Sequence, residues 1–268
     1  MTEELARAAA LARQGAAADL ARAVGFMRAF ARRRAPRTLP VPGGFAVLDE
    51  RYPGSYDDNK LIVGAGDGPG PASGALLRAA DEVLAKRAHR LVSVDDDRLG
   101  TALADAFAAA GYDHETNVVM AFRGAIPADP PAAVHLDLEE LVPVLRRDWR
   151  RSLPQAPEHV IDDLARRVET RLRGADAVAF RGLRAPDGRI AARADLYAHG
   201  GVAQIEDVFT GEEHRGRGYA RALIIALLAE AAGAELIFLV AGASGWPKEF
   251  YARLGFEELG RVHAFLRT

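Results

Sequence analysis

The residue types best suited to chemistry sit in one short run, His214-Arg215-Gly216-Arg217-Gly218-Tyr219-Ala220-Arg221. Two glycines around one arginine let the backbone turn sharply and gather several N–H groups with no Cβ in the way. If such a turn opens a helix, the first helical N–H groups lack internal partners and the helix dipole favours negative charge. The turn is then a cradle for a phosphate. Arg215, Arg217 and Arg221 add positive charge beside it. Competing meanings fail on named residues. A dinucleotide fingerprint needs a small third residue, where Arg221 stands, and a P-loop needs a Gly-Lys-Ser/Thr run that the segment lacks. Gly64-Ala65-Gly66 has Pro69 in its third position, and Gly68 to Pro71 reads as a plain loop. His114-Glu115 opens like a zinc-protease helix, but residue 118 is valine and its surroundings are strand-like.

Elements must hold that run in place. Val202 to Thr210 reads as a strand before it, Tyr219 to Ala232 as a long apolar helix after it, and Leu236 to Val240 as a buried strand. A short helix, Pro247 to Leu254, and a strand, Phe256 to Leu266, close the chain. Upstream, Leu138 to Arg151 and His159 to Arg173 have amphipathic helical spacing. Ala177 to Leu183 and Arg189 to Tyr197 flank the turn residues Pro186-Asp187-Gly188. The proline-rich stretch Ile126 to Pro131 fits neither a helix nor a central strand and marks a domain boundary. Before it, strands are expected at Phe45 to Glu50, Asn59 to Val63, His89 to Val94 and Tyr112 to Phe122. Helices are expected at Ser73 to Arg87 and Leu99 to Ala110. Glu3 to Arg34 reads as two helices broken near Gln14-Gly15. These elements imply a mixed α/β layered fold with both sheet faces covered.

The chain has 268 residues, 49% of them hydrophobic, which is enough for two modest domains with buried cores. A net charge of −2 argues against a nucleic-acid binder, so Arg28, Arg32, Arg33, Arg34 and Arg37 read as cations at a helix C-terminus rather than a nucleic-acid arm. With no cysteine there are no disulfides, thiolate zinc sites or thiol nucleophiles, as suits a reducing cytoplasm. No apolar stretch is long enough for a membrane span. No metal, nucleic acid or membrane is expected as a partner, and a homodimer is compatible with the sequence.

The segment Val208-Phe209-Thr210-Gly211-Glu212-Glu213-His214-Arg215-Gly216-Arg217-Gly218-Tyr219-Ala220 resembles the acetyl-CoA motif of the GNAT-type N-acetyltransferases. Trp246-Pro247-Lys248-Glu249-Phe250-Tyr251-Ala252-Arg253-Leu254-Gly255-Phe256 resembles the same family's closing signature. Glu213 and Glu212 depart from the usual residues at their positions, and a carboxylate there would oppose a pyrophosphate unless it points away. The resemblance covers roughly residues 132 to 268. It implies the GNAT acyl-CoA N-acyltransferase fold and an enzyme that moves an acetyl group from acetyl-CoA to the amine of a small molecule or peptide. It places the co-substrate on Val208, Phe209, Thr210, His214, Arg215, Gly216, Arg217, Gly218, Tyr219 and Ala220. Tyr251 is implied as proton donor to the leaving thiolate, although a tyrosine there also suits a core. Glu206 is a candidate base, expected on the strand face of Val208 and Thr210; it could equally pair with an arginine. The first helix pair, around Trp149 to Pro157, is expected to shape the acceptor pocket. The family also allows a non-catalytic acyl-CoA sensor and a biosynthetic transferase for a small amino thiol or amino sugar.

The first half echoes the second. Phe107-Ala108-Ala109-Ala110-Gly111-Tyr112 mirrors Tyr251 to Phe256, Leu91 to Val94 mirrors Ile237 to Val240, and Gly70-Pro71 falls near Gly216-Arg217. Phe107 has no hydroxyl and Pro71 no N–H. The sequence therefore predicts a tandem arrangement. Residues 1–126 would form a helical segment plus a degenerate GNAT-like domain, and residues 127–268 the catalytic GNAT domain. Asp95-Asp96-Asp97 reads as a solvated helix N-terminus, and His199 and His263 as ordinary polar residues.

Overall fold

The computed structural model describes residues 2–66, 68 and 70–268, with side chains from residue 13 onward. Pro69, which spoils the Gly64-Ala65-Gly66 pattern, lies outside the described residues. One helix, α1 (Thr2–Arg34), opens the chain. The break expected near Gln14-Gly15 does not occur. A lone glycine costs about 1 kcal/mol against alanine, which the surrounding alanine, leucine and arginine residues carry without a kink. Strands β1 (Arg37–Val41), β2 (Gly44–Leu48) and β3 (Lys60–Val63) follow, then α2 (Ser73–Val83), β4 (Arg90–Val94), α3 (Asp97–Ala109) and β5 (Asp113–Phe122). The second half runs β6 (Val134–His135), α4 (Leu138–Ser152), α5 (Glu158–Arg166), a 3-10 turn (Arg167–Arg173), β7 (Ala177–Arg184), β8 (Ile190–His199) and β9 (Val202–Thr210). It ends with α6 (Tyr219–Glu230), β10 (Leu236–Gly242), α7 (Trp246–Arg253) and β11 (Phe256–Arg267).

All eleven strands join one mixed sheet, ordered β1-β2-β3-β4-β11-β5-β10-β9-β8-β7-β6. The halves of the sequence have traded their last strands. The first half's β5 lies against β10, and the second half's β11 lies against β4. Their antiparallel seam has a local two-fold centre at the Asn117–Val262 pair, since equivalent pairs flank it. Leu239 pairs with Met120 as Val92 pairs with Phe265, and Ala241 with Val118 as Val94 with His263. The sequence match of Leu91–Val94 with Ile237–Val240 is therefore one residue out of step. The side of the sheet decides it. Val92 and Val94 pack beneath α2 and α3, and their equivalents Leu239 and Ala241 beneath α6. An extra residue at the β11 irregularity between Glu258 and Gly260 shifts the frame.

The other match holds. Gly111 and Gly255 both end their helices with positive φ, 81° and 95°. Tyr112 packs on Phe107 as Phe256 packs on Tyr251.

Helices α2, α3, α6 and α7 cover one face of the sheet, while α1, α4 and α5 cover the other. Helix α1 spans both halves. Its Phe26 meets Phe238 edge-on at 5.7 Å between centroids, its Phe30 stacks on Tyr197 at 4.4 Å, and its Ala31 sits on Phe45 and Ile62. The arginines near its C-terminus are thus held by packing and ion pairs. Arg32 lies 3.6 Å over the Phe45 ring, and the buried Arg34 binds Asp57 and Asp58 at 2.6 and 2.7 Å.

Candidate active site

The parallel strands β9 and β10 pair at Val202–Leu236, Ala203–Ile237 and Gln204–Phe238, and the pairing stops there. In the first half the equivalent strands do the reverse. Leu61–Val92, Ile62–Ser93 and Val63–Val94 pair, and the Asp95 N–H donates to the Val63 carbonyl at 2.9 Å. Carrying the register across the two-fold sets Leu61 at the position of Ile205 and Ile62 at that of Glu206. The first half is zipped shut along the stretch where the second half has opened.

The opening is fixed by a break in β9. Against β8, Asp195 faces Glu206 and Arg193 faces Phe209, so β9 carries one residue too many. Asp207 takes up the extra residue with φ 52°, the one non-glycine positive φ among the described residues. Arg193 holds the bulge, donating to the Asp207 carboxylate at 2.6 Å and to Asp148 at 3.2 Å. The bulge overturns one expectation. Val208 packs with Ile205 on the α6 side, whereas Gln204 and Glu206 face α1. Strict alternation had put Glu206 and Val208 on one face; the extra residue separates them.

Beyond β9 comes a 3-10 turn, Glu212–His214, and then Gly216 and Gly218 with φ of 72° and 82°. Gly218 is the residue immediately before α6, and a Cβ on either glycine would meet nothing within 4 Å. Leu223, Ile224, Leu227 and Leu228 bury α6 against the sheet, which aims its N-terminus at the open end of the strands. Arg215 and Arg217 are exposed, Tyr219 and Ala220 half-buried, and His214 buried with its ring edge-on to Tyr219. The Glu213 carboxylate turns away to Arg151 at 3.2 Å, which removes the clash with an anion that its position suggested. The Thr210 hydroxyl and His214 Nδ1 are buried without a hydrogen-bond partner. An open N–H cradle and two orphaned polar atoms fit a polar, phosphate-bearing arm such as that of coenzyme A. Among the described residues the first half is crowded at the matching turn. A Cβ on Gly70 would lie 2.9 Å from Leu99 Cδ1, and Pro71 is packed against Gly43.

On the α1 side the open strands border a cavity of ≈ 260 Å³ that straddles the two-fold centre. Asn117 and Val262 form its middle, with Ile62 and Ser93 on one flank and Glu206 and Val240 on the other. Burial, with the nearby Asp207 charge, pushes the Glu206 carboxyl up to about 7. Gln204 Nε2 donates to Glu206 Oε2 at 2.5 Å. Burial, with the Glu206 charge adding to it, pushes the Tyr251 hydroxyl up to about 12. Tyr251 thus lies within electrostatic reach of Glu206. Residues Trp149 to Pro157 do not line this cavity; α1 and the 3-10 turn before β7 do. Sequence reading missed Arg34, Asp57, Lys60 and Arg171 here, because side chains drawn from both halves carry no local signature. Of the three aspartates, Asp96 caps α3, Asp95 pairs with Arg28, and Asp97 meets His263, which also contacts His114. Among the described residues no cluster of His, Asp and Glu could hold a metal ion, and no helix is long and apolar enough to cross a membrane.

Residues 178–258, which contain the open strands, the cradle and Tyr251, match the acetyltransferase (GNAT) domain family. This stretch is a GNAT domain. Its solved neighbours agree on the fold. A GCN5-related N-acetyltransferase from Kribbella flavida is 19% identical, with TM-score 0.57, over 91% of this chain and 94% of that one. A functionally unknown conserved protein from Staphylococcus epidermidis is 14% identical, with TM-score 0.64, over 86% and 93%. A tandem GNAT protein from the clavulanic acid biosynthesis pathway is 17% identical, with TM-score 0.50, over 92% and 94%. No curated protein matches the sequence. The likeness in fold extends over most of the chain.

Proposed function

We propose that the chain is an N-acetyltransferase that moves the acetyl group of acetyl-CoA to a primary amine by direct attack. The observation that carries this reading is a carboxyl poised near neutrality, Glu206, at the mouth of strands that open only in the half that keeps the cradle. Backbone N–H groups from Arg215 to Ala220 would hold the pyrophosphate, and Val208, Phe209 and Thr210 the arm that leads to the reacting thioester. At the bulge, a backbone N–H near Val208 would polarise the thioester carbonyl.

Glu206 accepts a proton from the amine as nitrogen bonds to the carbonyl carbon. Tyr251, protonated at neutral pH, donates its proton to the sulfur as the C–S bond breaks. Solvent then takes the proton from Glu206 and restores the one on Tyr251, and the products are an amide and the free thiol. We place catalysis in residues 127–268, with residues 1–126 as a non-catalytic half that walls the acceptor cavity, and the activity in the cytoplasm. The small cavity of ≈ 260 Å³ favours a small acceptor over a peptide; it is below the roughly 300 Å³ at which ligand pockets usually begin.

The test is release of free thiol from acetyl-CoA across a panel of small amines, with the acylated product identified by mass. Wild type should turn over at least one amine, and Glu206→Gln should slow that turnover about 10²-fold or more. Acetyl-CoA binding with no amine acylated would leave a sensor rather than an enzyme.

A further inference from the structure

Four cations line the cavity beside Glu206, and three of them are occupied. Arg28 donates to Asp95 at 2.9 Å. Arg34 donates to Asp57 and Asp58, and Lys60 to Asp57 at 2.6 Å. Arg171 differs. Its side chain is only 11% exposed, yet among the described residues it makes no hydrogen bond, and its one ion pair is a loose 3.5 Å contact from Nε to Asp195. Most of the neighbouring carboxylate oxygens are engaged elsewhere. Both Asp57 oxygens are taken by Arg34 and Lys60, and Asp195 Oδ2 accepts from the Tyr197 hydroxyl at 2.5 Å. Its donor fork is left open to the cavity, where a planar anion can complete it.

We propose that Arg171 receives the carboxylate of the acceptor, so that the substrate of this site is a small amino carboxylate. The inference rests on the acetyl-transfer reading above. Glu206 and Arg171 line the same cavity, within electrostatic reach of each other. A molecule carrying both an amine and a carboxylate can set one group before each. The parallel N–H groups of the guanidinium match a carboxylate in a two-bond arrangement that also fixes the direction of the amine. The small volume limits the acceptor to a short carbon skeleton. Because α1 and the first half close the far wall, such an acceptor would be enclosed by residues of both halves.

The experiment compares acceptors that differ only in the carboxylate: 4-aminobutanoate with butylamine, β-alanine with propylamine, and α-amino acids with their decarboxylated amines. Each is assayed by thiol release with wild type, Arg171→Met and Arg171→Lys, all first checked for cooperative melting and for stabilisation by acetyl-CoA. Wild type should favour at least one amino carboxylate over its matched amine by about tenfold or more in kcat/KM. Arg171→Met should erase most of that preference through KM, and Arg171→Lys should restore part of it. Butanoate should compete with the amine in wild type and lose potency in Arg171→Met. Acylation of amines with no preference for the carboxylate overturns the inference while sparing the acetyl-transfer reading. So does a preference that survives Arg171→Met. If Arg171→Met fails to melt cooperatively, the butanoate competition and Arg171→Lys decide the matter. Failure of every amine despite acetyl-CoA stabilisation overturns both readings.

Discussion

Gln204 holds one oxygen of Glu206 through a 2.5 Å hydrogen bond, and both side chains border the cavity at the point where β9 leaves β10. A donor on that oxygen favours the charged carboxylate and so opposes the burial that pushes Glu206 up to about 7. Gln204→Leu should therefore raise the acid limb of the pH–rate profile and slow turnover at pH 7 several-fold, with recovery near pH 9. An acid limb that stays in place would mean that Gln204 does not tune the base.

The same carboxyl makes stability depend on pH. Its folded value near 7 lies above the ordinary 4.5, so the folded chain holds more protons through that window. Stability then falls as pH rises from about 4.5 to 7, by on the order of 3 kcal/mol for this group. Glu206→Gln should remove that loss and be more stable than wild type at pH 8, with little difference near pH 4.5. Chemical denaturation at the two pH values checks it.

Acetyl-CoA at about one hundred times its dissociation constant should stabilise the protein by roughly 2.7 kcal/mol. Gly218→Val should cancel that gain. A Cβ at Gly218 meets no atom of the protein, so the substitution costs the fold only the strain of a left-handed φ of 82°, roughly 1–2 kcal/mol. Its larger effect falls on whatever occupies the cradle. Undiminished stabilisation of a folded Gly218→Val would move the binding site elsewhere.

Tyr251→Phe should keep acetyl-CoA stabilisation and slow turnover by about 10² to 10⁴. Packing is preserved, since the ring still meets Phe256 and Phe250. Equal rates for the two proteins would leave Tyr251 as a core aromatic.

Phe30→Ala should lower stability by about 3–5 kcal/mol, because the ring stacks on Tyr197 and is almost fully buried beneath α1. A urea midpoint shift at constant slope is the measurement. A change in slope instead would show α1 detaching on its own.

The cradle was legible in the sequence because it is local. Glycines at 216 and 218 before an apolar run state a turn and a helix within a dozen residues, and the helix stops at Gly111 and Gly255 are equally short-range. Glu206 was faced wrongly, since alternation cannot anticipate the left-handed Asp207. The β4–β10 match slipped by one residue for a related reason: the extra residue near Leu259 shifts the frame without any change in composition. The cavity was out of reach altogether. Arg34, Asp57, Arg171 and Glu206 come together only when a helix, a loop, a 3-10 turn and a strand from two halves meet over one seam.

The traded strands also constrain how the polypeptide can be made. On the ribosome, β4 emerges long before β11, the strand that will cover its open side, and β5 must wait for β10. The first half is thus synthesised with a bare edge at β4, and the central seam closes only once β11 has been made. A chain of two modest halves would ordinarily fold from its N-terminus as synthesis proceeds. This one has to wait for β11, and until then the edge of β4 is open to pairing with a neighbouring nascent chain.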